Sequence, residues 1–129
     1  MGIKVLFIYP NTYGMNMLPP AIALFSALLK ERGHHVDLFD ATYYQTDHGI
    51  DSDGTKAERL NVVPFDSSEM GIRMRESDWR DDIKCKVETY QPDLIALSTT
   101  EDMWLLGVRM LEEIEGLISR HKIPVIAGG

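Results

Sequence analysis

The sequence predicts an α/β domain built on a parallel β-sheet, and three features of its pattern support that class. Residues 4–9 form a short run that is apolar on both faces, which is typical of a strand buried between two layers. A helical segment, a glycine and a second short strand follow within the first forty residues. Later, two more apolar runs at 94–98 and 123–127 are separated by a long amphipathic segment. This alternation of strands and helices indicates βαβ units.

The first βαβ unit carries clear start and stop signals. Pro19 and Pro20 open the predicted helix at a position where a missing N–H costs nothing. Apolar residues recur at three- and four-residue spacing over residues 21–32, and Gly33 follows as a left-handed cap. The second strand then ends at Asp40. A right-handed crossover places this strand on one side of the first strand and the later strands on the other. The expected architecture is a Rossmann-like three-layer domain with strand order 2-1-3-4 and a switch point between strands one and three.

The middle of the chain departs from this simple alternation. Residues 41–76 are largely polar and glycine-bearing, and they are too many for an ordinary connection, so we expect an inserted segment there. A helical turn is predicted at 56–60 and an extended stretch at 61–65. A helix capped by Ser77 or Asp78 then runs to residue 90, and the longest helix is predicted over 103–120.

The length of the sequence and its last residues predict how much of a domain is present. With 129 residues we expect one domain, spanning residues 1–129, and the last glycine pair follows the fourth strand directly. Doubly wound domains usually continue with another helix and strand, so we expect a partial domain, truncated before those two elements. Uncovered apolar surface would then favour self-association.

Nucleic acid and membrane partners are not expected. A net charge of −7 disfavours binding to a phosphate backbone. The longest apolar runs are far below the roughly 20 residues of a membrane span, and no signal-peptide core is visible, so a cytoplasmic location is expected. Cys85 is the single cysteine, which excludes an internal disulfide and a cysteine-ligated cluster within these residues.

The ordered combination of several segments is similar to a known family. They are KVLFIYP at 4–10, LPP at 18–20, LKERGH at 29–34, VDLFD at 36–40, PDLIALS at 92–98 and IPVIAGG at 123–129. Together they resemble the N-terminal cobalamin-binding domain of the cobalamin-dependent radical SAM proteins. The wider cobalamin-binding fold carries the pattern D-x-H-x-x-G, then S-x-L, then G-G, and its histidine is the lower ligand of cobalt.

This chain matches only part of that pattern. The loop after the first strand has neither the aspartate nor the histidine, and Gly14 matches the motif's glycine only loosely. Ser98 matches the serine, Thr100 stands at the leucine position, and Gly128 and Gly129 match the glycine pair. Loss of the axial histidine is usual in the radical SAM branch, where cobalamin is bound without it.

The resemblance implies that cobalamin lies across the carboxyl ends of strands one, three and four. The implied contact residues are Pro10, Asn11, Thr12, Tyr13, Gly14, Ser98, Thr99, Thr100, Gly128 and Gly129. It implies no protein metal ligand and no catalytic residue in this chain. The partner would be a radical SAM domain of the same polypeptide, beyond residue 129. That domain would hold S-adenosylmethionine and a [4Fe-4S] cluster, and the parent would be a methyltransferase or another radical enzyme.

Most of these residues also have a plainer interpretation. Asn11, Thr12 and Tyr13 are ordinary turn residues, Ser98 and Thr100 suit a helix cap, and two glycines suit a tight turn. Trp104, near the Ser98 loop, either packs on a flat ligand or packs against the protein itself.

Two other function classes stay open. The first is the N-terminal half of a two-domain glycosyltransferase, which also joins a first strand to a helix ending in Arg-Gly-His. Such enzymes usually have a glycine-rich turn after strand one, and residues 10–13 lack it. The second is a flavodoxin-like interaction domain without a ligand. Phosphoacceptor chemistry is disfavoured because, of the acids it needs after strands one and two, only Asp40 is in place.

Overall fold

The computed structural model describes residues 1–13, 17–46 and 68–129. Its strands are β1 (Lys4–Tyr9), β2 (His35–Asp40), β3 (Leu94–Ser98) and β4 (Val125–Gly128). Its helices are α1 (Pro20–Glu31), α2 (Trp79–Tyr90), α3 (Trp104–Glu113) and α4 (Glu115–His121), with single 3₁₀ turns at Ser68–Met70 and Glu101–Met103. Among the described residues, no helix has both the length and the apolar composition needed to cross a membrane.

The four strands form one parallel sheet in the order β2-β1-β3-β4, which confirms the predicted α/β fold and strand order. Strand β1 pairs with β2 on one side and with β3 on the other. Strand β4 pairs with β3, from Ile95 opposite Val125 to Ser98 opposite Gly128. Because all four strands run in one direction, the loops that follow them emerge at a single edge, here called the carboxyl edge.

Strand β1 supplies side chains to two separate cores, one on each face of the sheet. Leu6 and Ile8 are completely buried in the larger core with α2, α3 and α4. Val5 and Phe7 are buried in the smaller core, where Ile22 of α1 packs against them. Alternate residues of β1 therefore serve opposite layers, as expected for a strand enclosed on both faces.

Helix α2 forms as its sequence predicts. Asp78 is the N-cap, and its Oδ1 accepts a hydrogen bond of 2.8 Å from the Arg80 N–H, which decides between the two predicted caps. Trp79, Ile83 and Val87 form the buried stripe at four-residue spacing.

Two element boundaries differ from the prediction. The helix expected over 103–120 is interrupted at Ile114, whose N–H bonds the Leu111 carbonyl at 3.2 Å in a tighter 3₁₀-like turn. Ile114 is completely buried, so its packing in the core outweighs continuation of one helix. Strand β4 begins at Val125, two residues later than expected, because Ile123 instead closes α4 by donating to the Ile118 carbonyl.

The predicted inserted segment at 41–76 is described only at its two ends. The helical turn predicted at 56–60 and the extended stretch at 61–65 lie outside the described residues. At the near end, the Ala41 N–H continues the sheet by bonding the Tyr9 carbonyl at 3.1 Å.

A hydrogen-bonded cluster joins the two ends of that segment. The Tyr44 ring stacks on Phe39 with 5.5 Å between centroids, and its hydroxyl donates to Asp82 Oδ2 at 2.7 Å. The Ser77 hydroxyl donates to the same oxygen at 2.7 Å, and the Arg75 guanidinium lies 5.1 Å from the centre of the Tyr44 ring. The chain leaving β2 is therefore fastened to the start of α2.

The cluster changes the acidity of its members. Burial, together with the hydrogen bond to Asp82, raises the pKa of Tyr44 to about 12. The hydrogen bonds from Ser77 and Tyr44 lower the pKa of the Asp82 carboxyl, because they stabilise its charged form.

We expect Asp82→Asn to weaken the acid dependence of stability. A carboxyl whose pKa is depressed in the folded state stabilises it above the unfolded pKa, and this stabilisation is lost as pH falls through the folded pKa. Urea unfolding between about pH 6 and pH 3 should therefore lose less free energy in the variant than in the wild type. The difference should be on the order of 0.5 kcal/mol, because the carboxyl is partly exposed to solvent.

The matched control is Asp81→Asn, at the exposed neighbouring position of the same helix turn. It should retain the wild-type pH dependence. Equal pH slopes for the wild type and Asp82→Asn would show that this cluster contributes nothing to acid stability.

Candidate functional site

The carboxyl edge brings together the ends of β3 and β4. Ser98 and Gly128 are register partners in neighbouring strands, so they lie side by side at this edge. Just beyond them, the Thr99 N–H donates to the Gly128 carbonyl at 3.0 Å. Predicted cofactor-contact residues from two distant parts of the sequence are therefore neighbours in space.

The loop after β1 also reaches this edge, but its first side chains turn inward. Pro10 is fully buried, and its Cγ lies 3.2 Å from the position that a Cβ on Gly107 of α3 would occupy. Gly107 thus marks a close approach between α3 and the sheet. Asn11 is fully buried, and its Nδ2 donates to the Thr42 hydroxyl at 3.0 Å.

The next two described residues of the loop after β1 differ in environment, because one is buried and the other lies at the surface. Thr12 is 5% exposed, and its hydroxyl donates to the sulfur of Met103 at 3.9 Å. Tyr13 is 39% exposed, with its ring centre 6.1 Å from that of Tyr43. Gly14 lies outside the described residues. Of the described residues predicted in this loop, only Tyr13 therefore presents its side chain to solvent.

The hydrogen bond from Asn11 to Thr42 is part of a chain of hydrogen bonds that continues to Asp40 at the end of β2. Asp40 Oδ1 accepts from the Thr42 N–H at 2.9 Å and from the Thr42 hydroxyl at 2.5 Å. Thr42 in turn accepts from Asn11, so the loops after β1 and β2 are joined by one chain of hydrogen bonds. The sequence pattern did not indicate Thr42, because its partner Asn11 is 31 residues away.

The β3 and β4 side of the edge is open. A cleft of about 450 Å³ lies there. Its walls are formed by Thr99, Thr100, Glu101, Trp104, Ala127, Gly128 and Gly129. The Thr99 hydroxyl donates to the Thr100 carbonyl at 3.0 Å, while Thr100 itself is exposed. Trp104, at the start of α3, leaves 45% of its surface exposed.

The two glycines at this edge differ in their surroundings. A Cβ on Gly128 would meet no atom within 4 Å, so the absent side chain leaves open space. A Cβ on Gly129 would lie 1.8 Å from the Thr99 carbonyl oxygen, which no side chain permits. Gly129 therefore allows close contact with the main chain that follows β3, and Gly128 leaves room beside the cleft.

An apolar groove of about 760 Å³ adjoins the cleft and shares Ala127, Gly128 and Gly129 with it. It runs between α1 and the face of β3 and β4 that α1 does not cover. Its apolar walls include Val5, Phe7, Ala21, Ile22, Phe25, Leu28, Leu29, Leu94, Ala96 and Ile126. Ser98 lies in the wall of this groove as well.

Helix α1 explains why the groove is apolar. Its predicted apolar face consists of Ile22, Phe25, Leu28 and Leu29. Of these, Ile22 is buried, but Phe25 is 52% exposed and Leu28 is 37% exposed, and both line the groove. Part of the single apolar face that the sequence predicts for α1 is therefore left uncovered and forms a wall of the groove.

Another cavity, of about 610 Å³, lies at the opposite edge of the sheet, and Lys4 and Asp93 in its wall form hydrogen bonds within the protein. Lys4 Nζ donates to the Tyr90 carbonyl at 3.2 Å, and Asp93 Oδ2 accepts from the Lys4 N–H at 2.8 Å. Within the ranges 1–13, 17–46 and 68–129, no three His, Cys, Asp or Glu side chains are grouped to hold a metal ion. The candidate ligand site is the open cleft at the carboxyl edge together with the part of the groove that shares Ala127, Gly128 and Gly129 with it.

We expect the apolar groove to bind the dye ANS, because contiguous exposed apolar surface enhances its fluorescence. Phe25→Asp places a charge in the groove wall and should remove most of that fluorescence. Leu24→Asp is the matched control, because Leu24 is 58% exposed on the same helix but does not line the groove. Equal dye binding by the two folded variants, checked by circular dichroism, would mean that the groove is not the dye site.

Comparisons of the chain with protein-family models, with curated proteins and with solved structures find no match.

Proposed function

We propose that this domain binds cobalamin at the carboxyl ends of β3 and β4 and presents it to a radical SAM domain of the same polypeptide. The observation that supports this most is the register pairing of Ser98 with Gly128 where the open cleft meets the apolar groove. These are the positions that match the serine and glycine motifs of the cobalamin-binding fold.

The chemistry of the two cavities suits such a cofactor. A corrin ring is a broad, largely apolar plate with polar amides at its rim. The groove has apolar side chains such as Phe25 and Ile126 in its walls, and the cleft is lined by polar threonine residues and glycine main chain. Sites for cofactors commonly combine an apolar lining with a few polar groups of this kind.

The predicted residues would have different roles in binding the cofactor. Ser98, Thr100 and Gly128 are assigned direct contact with the cofactor, since they line the open cavities. Asn11 and Thr12 are assigned a supporting role, because their side chains already bond Thr42 and Met103. No protein side chain is assigned as a ligand of cobalt.

Bound cobalamin would supply methyl transfer or a radical step. The S-adenosylmethionine and the [4Fe-4S] cluster of such a reaction are assigned to the catalytic domain. This chain's own contribution is to bind the corrin and hold its position at the edge of the sheet.

The direct test is titration of the purified chain with hydroxocobalamin, followed by equilibrium dialysis and corrin absorption. We expect comigration on gel filtration and a shifted corrin spectrum. Absence of binding at high micromolar cofactor would overturn the proposal. Binding of a nucleotide sugar, with no binding of cobalamin, would instead favour the glycosyltransferase alternative.

Gly128→Leu is the sharpest variant for this test. Because open space surrounds a Cβ at this position, the fold accommodates the side chain while the side chain occupies the mouth of the site. We expect loss of cobalamin binding with unchanged thermal unfolding. Gly116→Leu in α4 is the matched control, since a Cβ there also meets nothing within 4 Å and the residue lines neither cavity. Unchanged binding by Gly128→Leu would contradict the assignment.

A further inference from the structure

The two tryptophans of the chain are in opposite environments. Trp79 is 3% exposed, lies in the large core, and has the Arg80 guanidinium 4.7 Å from its ring centre. Trp104 is 45% exposed at the start of α3. Within the part of the chain that the structure describes, no aromatic ring or cation stacks on its indole. The indole of Trp104 therefore presents an aromatic surface to solvent, although tryptophan side chains are usually far more buried.

That surface belongs to the open cleft. Trp104 lines the cleft together with Gly128 and Gly129, which contribute main chain and no side chain. Leu105, the next residue, is 64% exposed but lines neither the cleft nor the groove. Leu106 is 2% exposed and packs into the core. In this first turn of α3, the indole alone is the exposed apolar group that meets the cleft.

A cleft with an aromatic wall and a glycine main-chain wall favours a flat ligand. Flat conjugated groups stack on indole faces, and glycine permits the main chain to approach such a group closely. The neighbouring residues Thr100 and Glu101 are polar and also line the cleft.

We propose that Trp104 packs its indole against the corrin ring and so positions the cofactor, an inference that rests on the proposed cobalamin-binding function. Neither the serine nor the glycine motif includes this residue. It would make the site selective for broad, flat ligands, in addition to the main-chain contacts at Gly128.

The test compares hydroxocobalamin affinity by equilibrium dialysis in the wild type, Trp104→Ala, Trp104→Phe and Leu105→Ala. Trp104→Ala should weaken binding about tenfold, which corresponds to about 1.4 kcal/mol. Trp104→Phe should retain most of the affinity, because a phenyl ring still stacks. Leu105→Ala should bind as the wild type does, since it removes an exposed apolar side chain that lies outside the cleft.

A second readout separates positioning from general stability. The visible circular dichroism of the bound corrin should change in Trp104→Ala and be restored in Trp104→Phe, while thermal unfolding of the apo variants stays equal. If the wild type binds cobalamin and Trp104→Ala binds it with equal affinity, this inference fails and the proposed function stands. If the wild type does not bind it, both are overturned. An equal loss in Leu105→Ala would also refute the role of Trp104.

Discussion

Burial of β1 on both faces is the constraint on which the rest of this structure depends. Leu6 and Ile8 reach 0% exposure on one side, while Val5 and Phe7 are nearly as buried on the other. A strand enclosed in this way must be hydrogen-bonded along both edges and covered by helices on both faces. The parallel neighbours β2 and β3 and the two helical layers satisfy that requirement, and the carboxyl edge results from it.

The sequence predicts most of this framework because its signals are local. The apolar run of β1, the stripe of α2 and the cap at Asp78 each depend on residues within a turn or two of one another. The break at Ile114 was not predictable in the same way. It depends on packing of a completely buried side chain against distant elements, and helical periodicity alone does not report such packing.

The candidate site also combines features that the sequence predicts with features that depend on distant residues. The positions of Ser98 and Gly128 follow from strand order and strand ends, and they meet as the pattern implies. The inward direction of Asn11 and Thr12 depends on Thr42 and Met103, which are 31 and 91 residues away in the chain. Polar residues after a strand are equally compatible with turning toward solvent and with turning toward the core. Only the tertiary structure distinguishes the two halves of the carboxyl edge.

The exposure of β4 determines where the binding of a ligand at the carboxyl edge would first be detected. All four of its residues are exposed and β3 is its only strand partner among the described residues, whereas five of the six residues of β1 are buried. Amide protons of β4 should therefore exchange with solvent through local opening, long before those of β1. A ligand that contacts Gly128 joins the least protected strand to the rest of the sheet. The free energy of ligand binding would therefore first slow amide exchange in β4. Only afterwards would it raise the free energy of global unfolding.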